Sequence, residues 1–122
     1  MTMNGRHSRR GHRGLVTVEL ALSTLAVLIM LAMVSWALFL VMVQMACIDT
    51  ASAVARQAAR GDRKGVAAAE ATAPADAVVH VDRRGDRVIV GVRARVVPPG
   101  GAFPPVTVRA SAEAVVEPGV TR

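Results

Sequence analysis

The chain has 122 residues, a formal net charge of +6, an apolar content of 52% and an aromatic content of 2%, which fits one small unit. A basic chain binds nucleic acid through a basic stripe, stacking aromatics or a recognition motif, and two Phe, one Trp and no Tyr supply no stacking platform. Four of the fifteen cationic residues lie in the first 14 positions; without that leader eleven cationic residues face nine acidic ones, so much of the basicity belongs to topology rather than to a nucleic-acid partner.

The leader carries Arg6, Arg9, Arg10 and Arg13 and closes on Gly14, after which come Leu15-Val16-Thr17-Val18-Glu19 and an uncharged run over residues 20–48. A basic leader ending in glycine, four mostly apolar residues, a lone carboxylate and a long apolar helix make up the arrangement a prepilin peptidase reads, cutting after the glycine. As a helix, residues 20–48 extend about 43 Å at about 1.5 Å per residue, against a hydrocarbon core of about 30 Å. The apolar region of a cleavable secretory signal is only about 7 to 15 residues long, so a spanning helix is the stronger reading. Arginine bias puts the N-terminus in the cytoplasm and everything from Asp49 onward outside, giving a single-pass protein of the cell membrane.

Within the run, Ala21, Ser23, Thr24, Ala26, Ala32, Ser35, Ala37 and Ala46 never fall four apart, so contacts with another helix must use larger side chains. Trp36 falls mid-span, and Met30, Met33, Met42 and Met45 read as adaptable packing. Cys47 is the single cysteine; no intramolecular disulfide can form, and it reads as a small apolar residue at the end of the membrane helix.

Glu19 has two readings. One is a carboxylate at the cytoplasmic interface, in the first turn of a helix whose N-terminal dipole favours negative charge. In the other, cleavage after Gly14 creates an α-amino group on Leu15 about one turn away, and Glu19 pairs with that amine, on the same or a neighbouring subunit, setting the register of a helical bundle.

Beyond the membrane, Ala51, Val54, Ala55, Ala58 and Ala59 keep helical spacing up to Gly61, a natural C-terminal stop. A second short helix is expected over about residues 66–72, before Pro74. The period then falls to two. Val88, Val90, Val92, Ala94 and Val96 alternate with more polar positions, as do Val106, Val108, Ala110, Ala112 and Ala114, which predicts two half-buried strands. A shorter strand over 77–82 joins the first through Arg83-Arg84-Gly85-Asp86, a hairpin turn, and Pro98-Pro99-Gly100-Gly101 marks a loop. The expected fold is α+β and membrane-anchored: a leader (1–14), a transmembrane and assembly helix (15–48), a helical extension (49–73) and a small antiparallel meander of about three strands (74–122). Its Val/Ala face packs on the alanine face of the helix, since isolated hairpins are marginal.

No catalytic constellation emerges. His7 and His12 lie in the leader, His80 falls on the solvent side of a strand, and no second cysteine exists at ligand spacing, so neither an enzyme nor a metal or cofactor site is expected. The two Arg-Gly-Asp tripeptides, at 60–62 and 84–86, read as turn chemistry.

The run Gly14-Leu15-Val16-Thr17-Val18-Glu19 resembles type IV prepilins. Cys47-Ile48-Asp49-Thr50-Ala51 with Ala55-Arg56-Gln57-Ala58-Ala59-Arg60-Gly61-Asp62 narrows the likeness to the TadE-like minor pilins, or pseudopilins, of actinobacterial tight-adherence (Flp) loci. The resemblance implies processing between Gly14 and Leu15 and an assembly role for Glu19. It also implies a prepilin peptidase, the main Flp pilin, other minor pilins and the inner-membrane assembly platform with its ATPase as partners, besides membrane lipid. Two departures favour a minor over a main subunit: Leu20 stands where main Flp pilins usually have tyrosine, and the 108-residue processed chain is much longer than those subunits. Leu15 also replaces the phenylalanine many pilins carry at the new N-terminus. The competing readings are a single-pass envelope protein with an extracytoplasmic binding domain, and a secreted effector released by a cut after residue 48.

Overall fold

The computed structural model describes residues 11–101, 103–116, 118 and 119. Most of the leader, with Arg6, His7, Arg9 and Arg10, lies outside the described residues. Helix α1, Gly11–Ala59, runs for 49 residues. From Leu15 to Arg60 it contains neither Gly nor Pro, so no residue removes a donor from its hydrogen-bond ladder or loosens it. The chain forms two compact units, Met1–Trp36 and Ala37–Arg122. In the first, every side chain from Val16 to Ser35 is exposed. In the second, one face of α1 from Leu40 to Ala58 packs against a three-stranded sheet.

The end of α1 follows from Gly61. Its φ of 72° lets the chain turn through the left-handed region, and two bonds close the helix: Gly61 N–H donates to Ala58 O at 3.2 Å, and Asp62 N–H donates to Gln57 O at 3.0 Å. This pairing satisfies carbonyls that the last turn would otherwise leave open. Asp62 then caps α2, Arg63–Glu70, with its Oδ1 accepting from Gly65 N–H at 3.0 Å. The second helix thus starts and ends earlier than the expected 66–72, because the cap at Asp62 fixes its first turn. Thr72 lies beyond it, bonded through its hydroxyl to Ala69 O at 2.7 Å.

The strands β1 (Val78–Arg84), β2 (Arg87–Val96) and β3 (Val106–Val115) form an antiparallel sheet in the order β1-β2-β3. Gly85, with φ of 61°, is the first central residue of a two-residue hairpin turn, a position that demands positive φ. This tight turn carries β1 to Arg84, opposite Arg87, two residues beyond the expected 77–82. Around the turn the charges pair: Arg84 with Asp82 at 2.9 Å, and Arg87 with Glu113 at 2.7 Å and Asp86 at 4.0 Å. The hydrogen bond that Arg87 donates to Glu113, then the charges of Glu113 and Asp86, hold the Arg87 guanidinium above its ordinary pKa, so it stays cationic across the working pH range.

Helix and sheet meet as the alternation predicts. Cys47, Ala51, Val54, Ala55 and Ala58 of α1 form one buried cluster with Val88, Val90, Val92 and Ala94 of β2 and Val108 of β3, and Thr50 is buried too. Leu40 and Val43 pack on the margin of this cluster. The apolar run of 20–48 therefore ends beneath the sheet, and Cys47 belongs to the helix–sheet core. No buried side-chain polar atom among the described residues lacks a partner, as expected where desolvation penalises unpaired groups.

Candidate assembly and processing site

The expected processing bond, Gly14–Leu15, lies in the helical backbone of α1. Four residues on, Glu19 is exposed, the single charged side chain between Val16 and Ile48. Leu15 and Glu19 stand one turn apart, about 6 Å along the axis. Around and above Glu19 the surface is apolar on every side: Val16, Val18, Leu20, Leu22 and Leu25 are each more than half exposed. An apolar surface of this extent needs lipid or protein against it. The helix over Val16–Ala59 is long and apolar enough to cross a membrane, by length and composition.

The polar side chains inside the run are handled locally. Thr24 Oγ1 donates to Leu20 O at 2.8 Å, a back-bond that satisfies a hydroxyl within its own helix. Gln44 Nε2 donates to Arg109 O of edge strand β3 at 3.1 Å. At the other end of the core, Arg83 Nη2 of β1 donates to Ala58 O at 3.2 Å. The Gln44 and Arg83 bonds fix which stretch of α1 lies under the sheet.

The outer face of the sheet shows a second feature that the alternation pattern alone did not reveal. His80, Gly91 and Ser111 form one row across the three strands, and Val78, Arg93 and Arg109 form the next. They line an open depression of about 680 Å³. A Cβ on Gly91 would meet nothing within 4 Å, so packing inside the chain does not demand glycine there, although glycine weakens a strand interior. The signal in the sequence was that lone glycine in the middle of the Val-rich strand. His80 is exposed, as expected. Arg93, Arg95 and Arg109 are exposed as well and, among the described residues, enter no ion pair, in contrast to the arginines at the hairpin end. Among the described residues no three His, Cys, Asp or Glu side chains are grouped to hold a metal. Both Arg-Gly-Asp glycines have positive φ and sit in the two tight turns already described.

The architecture defines a protein with one long apolar N-terminal helix whose C-terminal part forms the core of a three-stranded sheet. Over 103 residues the sequence is 37% identical to the "Apoptosis inhibitor Rv3655c" of Mycobacterium tuberculosis (strain ATCC 25618 / H37Rv), a match that spans 84% of this chain and 78% of that protein. The chain belongs to the family of that protein. No family model matches the sequence, and no solved structure matches the fold.

Proposed function

We propose that this protein is a minor pilin, or pseudopilin, of a tight-adherence type IV pilus system, cut after Gly14 by a prepilin peptidase and inserted with its sheet outside the cell. The observation that carries this reading is the apolar helix exposed on all sides from Val16 to Ser35, with Glu19 as its lone charge one turn from the Gly14–Leu15 bond. In the membrane that surface faces lipid; in a pilus it faces the helices of the main Flp pilin and other minor pilins. Glu19, costly in an apolar bundle unless paired, finds its partner in the new α-amino group of Leu15. The inner-membrane assembly platform is the partner that moves the subunit between these settings. The role is structural, with no catalytic step and no cofactor.

The test is the intact mass and N-terminal sequence of the protein recovered from membranes with and without a co-expressed prepilin peptidase. A start at Leu15 that depends on the peptidase is the expected result. A chain that keeps its arginine leader in both cases leaves a plain membrane anchor, whose sheet serves an extracytoplasmic partner.

The name of the mycobacterial relative favours a second reading, a protein acting on cell death. For a released form, the cut cannot fall after residue 48 without cost, because Leu40, Val43 and Cys47 would leave the core they pack in. A culture supernatant containing a free chain that starts near or before residue 40 would support that reading.

A further inference from the structure

We propose that the end of the sheet opposite the Gly85 hairpin is a membrane-surface contact, with Val97 and Phe103 entering the headgroup layer and Arg93, Arg95 and Arg109 binding the phosphates of anionic lipid. The proposal rests on the reading of α1 as a membrane span with the sheet outside.

Two hydrogen bonds orient the sheet along the helix. Arg83 reaches Ala58 and lies opposite Val88, whereas Arg109 is bonded to Gln44 and lies opposite Arg93. From Ala58 back to Gln44 is about 21 Å of helix, and from Val88 to Arg93 about 17 Å of strand, so β2 runs back along α1 toward its N-terminal side. Val97 lies about 13 Å beyond Arg93, which carries the loop after β2 past the level of Gln44 to the N-terminal end of the unit Ala37–Arg122. Toward the N-terminus, Leu40 is the last residue of α1 packed on the core, and residues 16–39, exposed apart from the half-buried Trp36, make about 36 Å of helix, enough to cross about 30 Å of hydrocarbon with a modest tilt. The loop therefore stands at the end of the sheet-bearing unit from which α1 continues toward its exposed apolar stretch.

The chemistry at that end suits an anionic surface. Phe103 is 70% exposed and Val97 63% exposed, two large apolar side chains facing solvent on the connection between β2 and β3. The charges are divided along the sheet. Asp82, Asp86 and Glu113 all lie toward the hairpin end and pair with arginines there, while Arg93, Arg95 and Arg109 enter no ion pair among the described residues. A cationic row behind an apolar tip is the pattern of peripheral membrane contacts, in which buried apolar area and attraction to anionic headgroups add.

The experiment uses the full-length chain in lipid nanodiscs, one set of phosphatidylcholine alone and one containing phosphatidylglycerol, with a gadolinium chelate on a fraction of the headgroups. Amide relaxation is read residue by residue. The amides of Gly101 and Phe103 are expected to relax several-fold faster than that of Gly85, more so with phosphatidylglycerol. The triple variant R93Q/R95Q/R109Q should lose that lipid dependence while keeping its amide spectrum elsewhere. Equal relaxation at Phe103 and Gly85 in both lipids overturns the contact, including the case in which another protein later covers the loop. A water-soluble gadolinium chelate controls the underlying reading: if it relaxes the amides of residues 20–36, the span itself is wrong and the contact falls with it. If those amides are shielded and Phe103 stays in water, the contact alone is overturned.

Discussion

The Arg83 guanidinium donates to the carbonyl oxygen of Ala58 at 3.2 Å, tying edge strand β1 to the last turn of α1. The carbonyls of a helix C-terminus carry partial negative charge and favour a cation, and the bond is partly shielded from water. Arg83→Ala should lower the stability of the sheet-bearing unit by about 1 kcal/mol, a modest value because the arginine itself is exposed. Urea titration followed by hydrogen exchange at the β1 amides checks it, and Arg83→Lys should recover part of the loss.

Val54 is among the largest fully buried side chains of the core. Val54→Ala removes two methyl groups from a site with no large neighbour to collapse into it. The expected cost is about 2 kcal/mol, a large share of what a unit of this size can spare. In the opposite sense, Ala51→Leu overfills a position that is 0% exposed and should cost about 1–3 kcal/mol. Near-ultraviolet spectra and denaturant midpoints of the full chain in detergent report both.

The thiol of Cys47 is 0% exposed and can react only when sheet and helix separate. Maleimide labelling should be negligible in the native protein and complete in denaturant, with an intermediate rate that measures local opening. Val54→Ala should raise that rate; a native chain that labels rapidly would contradict the buried placement.

Asp62→Ala removes the side-chain acceptor for Gly65 N–H and should cost about 1 kcal/mol, with Asp62→Asn close to neutral. The loss should appear as faster hydrogen exchange in α2 alone. Gly65→Ala tests the same contact sterically, because its Cβ would stand 2.5 Å from Asp62 Oδ2 and 2.9 Å from Gln57 Cδ. The capping side chain must give way, so the usual gain of alanine over glycine in a helix should not be seen.

Glu19→Ala should leave membrane insertion and the fold of the sheet unchanged, since its side chain stands exposed in a different compact unit from the sheet. Recovery of the protein in sheared pilus fractions should drop sharply. Unchanged incorporation would remove Glu19 from the assembly mechanism and leave it as an interfacial charge.

The strands and the face each presents were legible because the period of two in Val88–Val90–Val92 and Val106–Val108–Ala110 has one physical meaning, a sheet wet on one side. The helix face was legible for the same reason from Ala51 to Ala59. What escaped was where along the apolar run the sheet begins to cover the helix. Leu40, Val43 and Cys47 belong to an apolar run without periodicity, and such a run reads alike whether lipid or a sheet covers it. The start of α2 was also missed, because Asp62 belongs to an Arg-Gly-Asp tripeptide that reads as a turn, and only its geometry reveals a cap. The processing and assembly residues stand differently. The proposal for Gly14, Leu15 and Glu19 rests on their order along the chain, a pattern that the fold of a single chain neither needs nor displays.

The residues that α1 lays under the sheet repeat every four positions: Cys47, Ala51, Ala55 and Ala59 are all buried small side chains. A surface that recurs about every 6 Å looks nearly the same after a slip of one turn. Even the peg at Val54 has a near copy one turn back in Thr50, similar in shape and differing by a hydroxyl. The alanines that make the core easy to assemble thus leave its alignment degenerate. What distinguishes the native alignment from its neighbour lies at the margins, in the Gln44 amide held by Arg109 and the Ala58 carbonyl held by Arg83. Two polar bonds decide where an almost featureless ratchet comes to rest.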